Sequence, residues 1–319
     1  MRTITADQAL TEALAEEMRR DPRVITFGEG VATKNYKLAE EFGAKRVRNT
    51  PLSEGIIAGT AAGAAASGLR PVIDLLFAPF VTFAMDELVN SAGKLRFMSG
   101  GQFSFPLVTI VRTGAGWGVG AQHNHNNEAW FVHTPGVKVV MPSTPADFKA
   151  LLKSAIRDDN PVMFFVDLGL LFAPGEVGDE EVVEIGKAAV RHEGTDVTLI
   201  SYAKTVHKCM EAVGALEEVG VSAEVIDLRS LKPLDEATIL ASAKKTGRVV
   251  VVTEASGLAG VAAEIGALVA EKAFSSLKAP VQRVTGPDAP AAASYPLEQA
   301  YVPSKERIIE AALRTIAPQ

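Results

Sequence analysis

The chain of 319 residues contains a single cysteine, Cys209. One cysteine excludes an intramolecular disulfide and a cysteine-based zinc site, and a reducing compartment is the simplest setting for it. Blocks rich in Lys and Arg are also missing and the net charge is −6, so nucleic acid is not an expected partner. No apolar run reaches the roughly 18–20 residues that span a bilayer. The amphipathic start, Met1-Arg2-Thr3-Ile4-Thr5, has no signal-peptide core. These absences point to a cytoplasmic protein with no membrane partner. Internal repeats and low-complexity tracts are lacking as well. What is present is 47% apolar and 22% charged residues, enough for a well-buried core. The length suits two domains.

Strand-like and helix-like segments alternate. Apolar or β-branched runs at residues 24–27, 71–76, 107–111, 137–141 and 162–166 read as strands. Residues 56–69, almost entirely Ala, Gly and Ile, read as a buried helix. Residues 83–97 have helical spacing at Ala84, Leu88, Ser91 and Leu95. Residues 145–157 give the clearest helix, with Phe148, Leu151, Leu152, Ala155 and Ile156 on one face, Thr144 as N-cap and Pro145 in the first turn. This alternation predicts an α/β fold with a mostly parallel sheet covered on both faces. Residues 173–186, with Pro174, three glycines and the acidic Asp179, Glu180 and Glu181, read as a linker. A second α/β series follows, with strands at 197–201, 223–228 and 249–253 and helices at 206–216, 234–243, 262–274 and 304–316, the last capped by Ser304. The expected domains are residues 1–175 and 187–319.

Ligands of open parallel sheets bind beyond the carboxyl ends of strands, so polar residues in those loops are the candidates. Gly28-Glu29-Gly30 places a carboxylate between two glycines; a surface turn is the plainer alternative. Glu54 opens the small-residue helix after Asn49-Thr50-Pro51-Leu52-Ser53. It is either a first-turn carboxylate in a helix capped by Ser53 or a buried acid. Residues 114–127 set four glycines ahead of Gln122, His123 and His125. On a strand the two histidines would point one way as metal ligands, but no acidic or sulfur cluster accompanies them. A flexible loop presenting a histidine for acid–base work is the alternative. The glycines lack the Gly-x-Gly-x-x-Gly register of a dinucleotide site. Ile156-Arg157-Asp158-Asp159-Asn160-Pro161 is a helix stop, or a monovalent-cation site built on orphan carbonyls and an Asp side chain.

Several of these segments occur together in one order. They are Thr50-Pro51-Leu52-Ser53-Glu54, Gly68-Leu69-Arg70-Pro71, Met98-Ser99-Gly100-Gly101, Ala121-Gln122-His123, His133-Thr134-Pro135-Gly136-Val137-Lys138 and Ile156-Arg157-Asp158-Asp159-Asn160-Pro161. Val225-Ile226-Asp227-Leu228-Arg229 and Tyr301-Val302-Pro303-Ser304-Lys305 continue the series. Together they resemble the beta subunits of thiamine-diphosphate-dependent 2-oxo-acid dehydrogenases, the group of pyruvate, branched-chain and acetoin dehydrogenases. The resemblance implies a transketolase-like fold, with a pyrimidine-binding domain and a transketolase C-terminal-like domain. It implies oxidative decarboxylation of a 2-oxo acid with acyl transfer to a lipoyl-bearing acyltransferase. A separate alpha subunit would hold the diphosphate and Mg2+ through Gly-Asp-Gly. This chain has no such motif, so an assembly of two alpha and two beta chains with a beta–beta contact is expected. Glu54 matches the glutamate that bonds the aminopyrimidine nitrogen and favours loss of the thiazolium proton, in a dry site that raises its pKa. Leu76 and Phe80 match positions packing on the pyrimidine, His123 the active-site histidine and Glu29 a member of a proton path. Leu107, Ala155, Asp158 and Asn160 match a potassium site.

The chain departs from the pattern in a short segment between Gly30 and Phe42, in Asp167-Leu168-Gly169-Leu170-Leu171, and in Gly116-Trp117-Gly118 with its extra His125. Acetoin or another 2-oxo compound is therefore an alternative substrate. A split transketolase or deoxyxylulose-phosphate-synthase-like enzyme is a second alternative, needing His123, His125, His133 or Arg112 for a sugar phosphate. A non-catalytic structural partner is a third.

Overall fold

The computed structural model describes residues 1–178 and 182–317. In chain order the N-terminal elements are β1 (Arg2–Thr5), α1 (Ala6–Arg20), β2 (Val24–Gly28), α2 (Val31–Lys34), α3 (Tyr36–Phe42), β3 (Val47–Asn49), α4 (Glu54–Ala66) and β4 (Arg70–Phe77). Next come α5 (Gly93–Met98), β5 (Val108–Thr113), α6 (Glu128–Val132), β6 (Lys138–Val140), α7 (Pro145–Arg157), β7 (Val162–Asp167) and β8 (Pro174–Val177). The C-terminal elements are β9 (Ala189–His192), β10 (Val197–Ser201), α8 (Thr205–Glu217), β11 (Ala223–Asp227), β12 (Ser230–Lys232), α9 (Glu236–Thr246) and β13 (Val249–Ser256). They end with α10 (Val261–Ala273), β14 (Gln282–Gly286), α11 (Tyr295–Tyr301) and α12 (Lys305–Ile316).

Seven strands form the first sheet, in the order β12-β6-β7-β5-β4-β2-β3, parallel except for β12. Strict alternation explains how it is covered on both faces. Along β7, Val162, Phe164 and Val166 pack under α1 and α7, while Met163 and Phe165 face α4 and the C-terminal half. The second sheet has the order β14-β13-β10-β11-β9, with β9 antiparallel. Val249 and Val251 of β13 join Phe165 in one core, and Val250 and Val252 join a second core under α8 and α12. The two halves therefore share a continuous apolar interior.

Two expectations are corrected, and one strand pairing is new. Residues 83–97 are not one regular helix: a 3-10 segment, Ala78–Ala84, and a π segment, Asp86–Ala92, precede α5. The wide turn is closed by the Gly93 N–H reaching back to the Leu88 carbonyl, and Gly93 sits so close to Val137 that a Cβ would lie 3.1 Å from it. The expected linker begins as strand β8, paired antiparallel with β1 from Arg2↔Val177 to Thr5↔Pro174. Its acidic residues Asp179, Glu180 and Glu181 lie outside the described residues. Finally, β12 comes from the C-terminal half yet pairs with β6 of the first sheet. The α7 expectation holds to the residue, with Thr144 Oγ1 accepting the Asp147 N–H at 3.2 Å.

Candidate active site

Four loops gather beyond the carboxyl ends of β2, β3, β4 and β5. Gly28 ends β2 beside Asp74 of β4 and Asn49 of β3. A Cβ on Gly28 would lie 2.3 Å from the Asp74 carbonyl oxygen, so only glycine fits there. Glu29 follows, half-buried, and Lys34 Nζ donates to its carbonyl at 3.2 Å. Glu54 opens α4 immediately after β3 and its loop. Ser53 makes no side-chain cap bond, which removes the capping reading. The Glu54 carboxylate makes no hydrogen bond or ion pair with any described residue. It is half-buried rather than enclosed, so this chain alone does not form the dry pocket expected around it. Its surroundings are apolar and open: Leu52, Ile56 and Phe83 are 68%, 71% and 70% exposed.

Leu76 sits beyond Asp74 with φ 61°, a left-handed conformation that costs a non-glycine residue about 1–3 kcal/mol. Its N–H donates to Asp74 Oδ1 at 2.8 Å. Asp74 is itself clamped by Arg112, Nη1 to Oδ1 at 2.7 Å and Nη2 to Oδ2 at 2.9 Å. Burial raises the Asp74 pKa, but the Arg112 charge and hydrogen bonds outweigh it and hold the carboxyl below its ordinary value. Phe80 follows in the 3-10 segment. His123 meets it edge-on at 5.3 Å and meets Phe77 at 4.8 Å. The fold thus brings Phe80 and His123 into contact beyond β4, while Glu29 follows the neighbouring strand β2 and Glu54 opens α4. His125 turns elsewhere, against Trp130 at 5.3 Å, and burial lowers its pKa. The two histidines lie in an irregular loop and share no direction.

The residues of the expected potassium site lie at the amino ends of β5 and β7, the opposite end of the strands. The Leu107 carbonyl accepts the Val162 N–H at 2.8 Å and the Ala155 carbonyl the Asp158 N–H at 3.3 Å. Asp158 Oδ1 accepts from Asn160 Nδ2 at 2.8 Å, and Oδ2 is paired with Lys138. Burial raises the Asp158 pKa, but Lys138 and Asn160 hold it below the ordinary value. The carboxylate is thus already neutralised by an ammonium group.

The sequence matches the family "Transketolase, pyrimidine binding domain" over residues 2–172 and "Transketolase, C-terminal domain" over residues 186–308. It is 41% identical to the 2-oxoisovalerate dehydrogenase beta subunit of Bacillus subtilis strain 168, over 97% of each chain. It is 41% identical to the mitochondrial pyruvate dehydrogenase E1 component beta subunit of Dictyostelium discoideum, over 98% of this chain and 90% of that one. The beta subunit of acetoin:2,6-dichlorophenolindophenol oxidoreductase of Bacillus subtilis strain 168 is 38% identical over 99% and 98%. This chain belongs to the family of 2-oxo-acid dehydrogenase beta subunits. The fold agrees with that of a split-gene transketolase solved as an inactive beta4 tetramer, with a TM-score of 0.83, 24% identity and 98% of both chains covered.

In this member of the family a second constellation escaped the sequence reading. Where β7, β10 and β13 end, Asp167 and Glu254 are buried beside the half-buried Lys204, which is paired to Glu254 and 3.7 Å from Asp167 Oδ1. Tyr202 OH donates to the fully buried Glu128 at 2.7 Å, and burial pushes the Glu128 carboxyl up. Glu298, 1% exposed, lies against the Gly-rich loop. Only tertiary contact between the halves buries these acids, so no local pattern marks them.

Proposed function

We propose that this chain is the beta half of a thiamine-diphosphate-dependent 2-oxo-acid dehydrogenase that decarboxylates a 2-oxo acid and passes the acyl group to a lipoyl-protein. The observation that carries the reading is the Glu54 carboxylate, unpartnered among the described residues, at the apolar, open start of α4, a helix that packs on the segment carrying Phe80. The donor set fits the aminopyrimidine end of the cofactor: one carboxylate free to meet a ring nitrogen, and an apolar platform for the ring. When bound, the cofactor supplies a thiazolium carbon that acts as nucleophile and electron sink. Glu54 holds a proton at the pyrimidine nitrogen. Leu76 and Phe80 orient the ring and exclude water, and the strained Leu76 backbone is fixed for this by Asp74 and Arg112. His123 holds or moves a proton at the substrate oxygen. Glu29 belongs to a proton path toward a second site.

No Gly-Asp-Gly occurs in the sequence, so diphosphate and Mg2+ fall to an alpha chain, in an assembly of two alpha and two beta chains. We propose the cytoplasm as its compartment. The Arg112 guanidinium is committed to Asp74, which disfavours a sugar-phosphate substrate. A potassium ion at the Leu107 and Ala155 carbonyls with Asp158 and Asn160 stays part of the proposal, and it would share Asp158 with Lys138.

The deciding experiment co-expresses the chain with an alpha chain and assays pyruvate, branched-chain 2-oxo acids and acetoin with a lipoyl acceptor. Glu54→Gln should lower kcat by on the order of 10²–10⁴-fold. Full turnover by that variant would return the chain to a structural role.

A further inference from the structure

The Gly-rich loop that carries His123 has four glycines at positive φ: Gly114 at 85°, Gly116 at 139°, Gly118 at 63° and Gly120 at 78°. Backbone of this kind turns successive N–H groups to one side and forms a concavity for an anion. The molecule fills that concavity itself, with carboxylates from its C-terminal half. Glu298 of α11 accepts at Oε1 from the Gly116 N–H at 2.7 Å, the Gly118 N–H at 3.1 Å and Asn124 Nδ2 at 3.2 Å. Its Oε2 also reaches the Gly118 N–H at 3.2 Å. Glu254 of β13 accepts at Oε1 from the Ala115 N–H at 2.6 Å and Asn126 Nδ2 at 3.2 Å. Five donors of one loop therefore converge on two buried acids. Trp117, at the crest of the loop, stacks on Phe172 at 5.7 Å with the rings 3° from parallel.

A segment with four glycines has much backbone freedom to lose. A misplacement of about 1 Å at a reacting group can cost about 100-fold in rate. We infer that Glu298, supported by Glu254, is a positioning residue: it freezes the Gly-rich loop so that His123 is held against Phe77 and Phe80 at the site mouth. This rests on the reading that His123 acts in the reaction. Charge-assisted bonds to backbone N–H groups suit the task, since they are about twice as strong as neutral ones and leave the loop's side chains free for the site.

The test uses the chain assembled with its alpha partner and the variants Glu298→Gln, Glu298→Ala, His123→Ala and Glu298→Gln with His123→Ala. Glu298→Gln keeps the shape and one acceptor oxygen, so it retains the fold if the alanine variant does not. Amide hydrogen exchange at residues 115–118 should quicken at least about tenfold in Glu298→Gln. Its kcat should fall by on the order of 10–100-fold, with KM for the 2-oxo acid within about threefold. With His123 already removed, Glu298→Gln should lower kcat no further, because residues acting through one group are not additive. Unchanged exchange in Glu298→Gln overturns the inference. So does an equal fall in kcat with and without His123, which would mark a general structural role. If His123→Ala alone leaves turnover intact, the functional reading of His123 fails, and the exchange rates still decide whether Glu298 clamps the loop.

Discussion

Asp167 ends β7 with its carboxyl enclosed beside Lys204 and Glu254. Burial raises its pKa, Lys204 opposes the rise and the charge of Glu254 adds to it, leaving it at about 7 against an ordinary 3.8. One ammonium group serves two acids; with Asp167 neutral, the Lys204–Glu254 pair balances. The folded protein keeps the Asp167 proton up to about pH 7, while the unfolded chain releases it near 3.8. Stability from this group is therefore full below pH 3.8, declines between 3.8 and about 7, and is flat above. Asp167→Asn mimics the neutral form and keeps Oδ1 for the Gly169 N–H at 2.8 Å. Its unfolding free energy should match the wild type near pH 4 and pull ahead as pH rises toward about 7, by up to about 1.4 kcal/mol per unit, read from denaturant titrations. A constant difference from pH 4 to 8 would show that Asp167 is ionised throughout. The role of this residue could not be read from Asp167-Leu168-Gly169-Leu170-Leu171, because its burial comes from strands that end tens of residues later. Glu29, Glu54 and His123, by contrast, were visible as polar residues in glycine-rich or strand-end loops. What the sequence withheld about Glu54 was its surroundings, since this chain leaves it half-open.

Elements were readable in proportion to how local their causes are. Helix α7 carries its own cap, first-turn proline and apolar stripe, so its bounds follow from the residues within it. Strands β8 and β12 are short, and their partners β1 and β6 lie more than 80 positions away in the chain. The π segment before α5 likewise depends on a contact with the turn at Gly136. Gly136 has φ 86°, and a Cβ there would lie 1.9 Å from the Gly93 carbonyl oxygen. Gly136→Ala thus meets both strain and backbone clash, and should cost at least about 2 kcal/mol. Gly100, with φ 63° and nothing within 4 Å of the same position, carries the strain alone; Gly100→Ala should cost about 1 kcal/mol or less. Denaturant midpoints of the two variants separate the effects. Equal losses would mean that the close approach of residues 93 and 136 does not hold the π segment in place.

At the scale of the whole molecule, two sheets share one apolar interior, β12 ties the halves together, and the strand ends of the first sheet open onto an uncovered apolar face. Leu52, Ile56 and Phe83 are the exposed apolar side chains of that face. Exposure of this kind marks an interaction surface, and here it adjoins Glu54, whose carboxylate lacks a partner among the described residues. A partner seated on it would exclude water from Glu54 and complete the site, which explains why a chain with a full core still leaves its candidate catalytic acid half-open. Charge placed at the centre of the face should therefore block assembly without unfolding the chain. Phe83→Asp should weaken binding to the alpha chain by at least about 2 kcal/mol, roughly 30-fold in Kd. Val219→Asp, a similar change at a 60% exposed residue of the C-terminal half, should leave binding unchanged. Sedimentation of each variant with the alpha chain reads the difference. Wild-type affinity in Phe83→Asp would mean that the alpha chain sits elsewhere, and Glu54 would then have to be enclosed by a second copy of this chain.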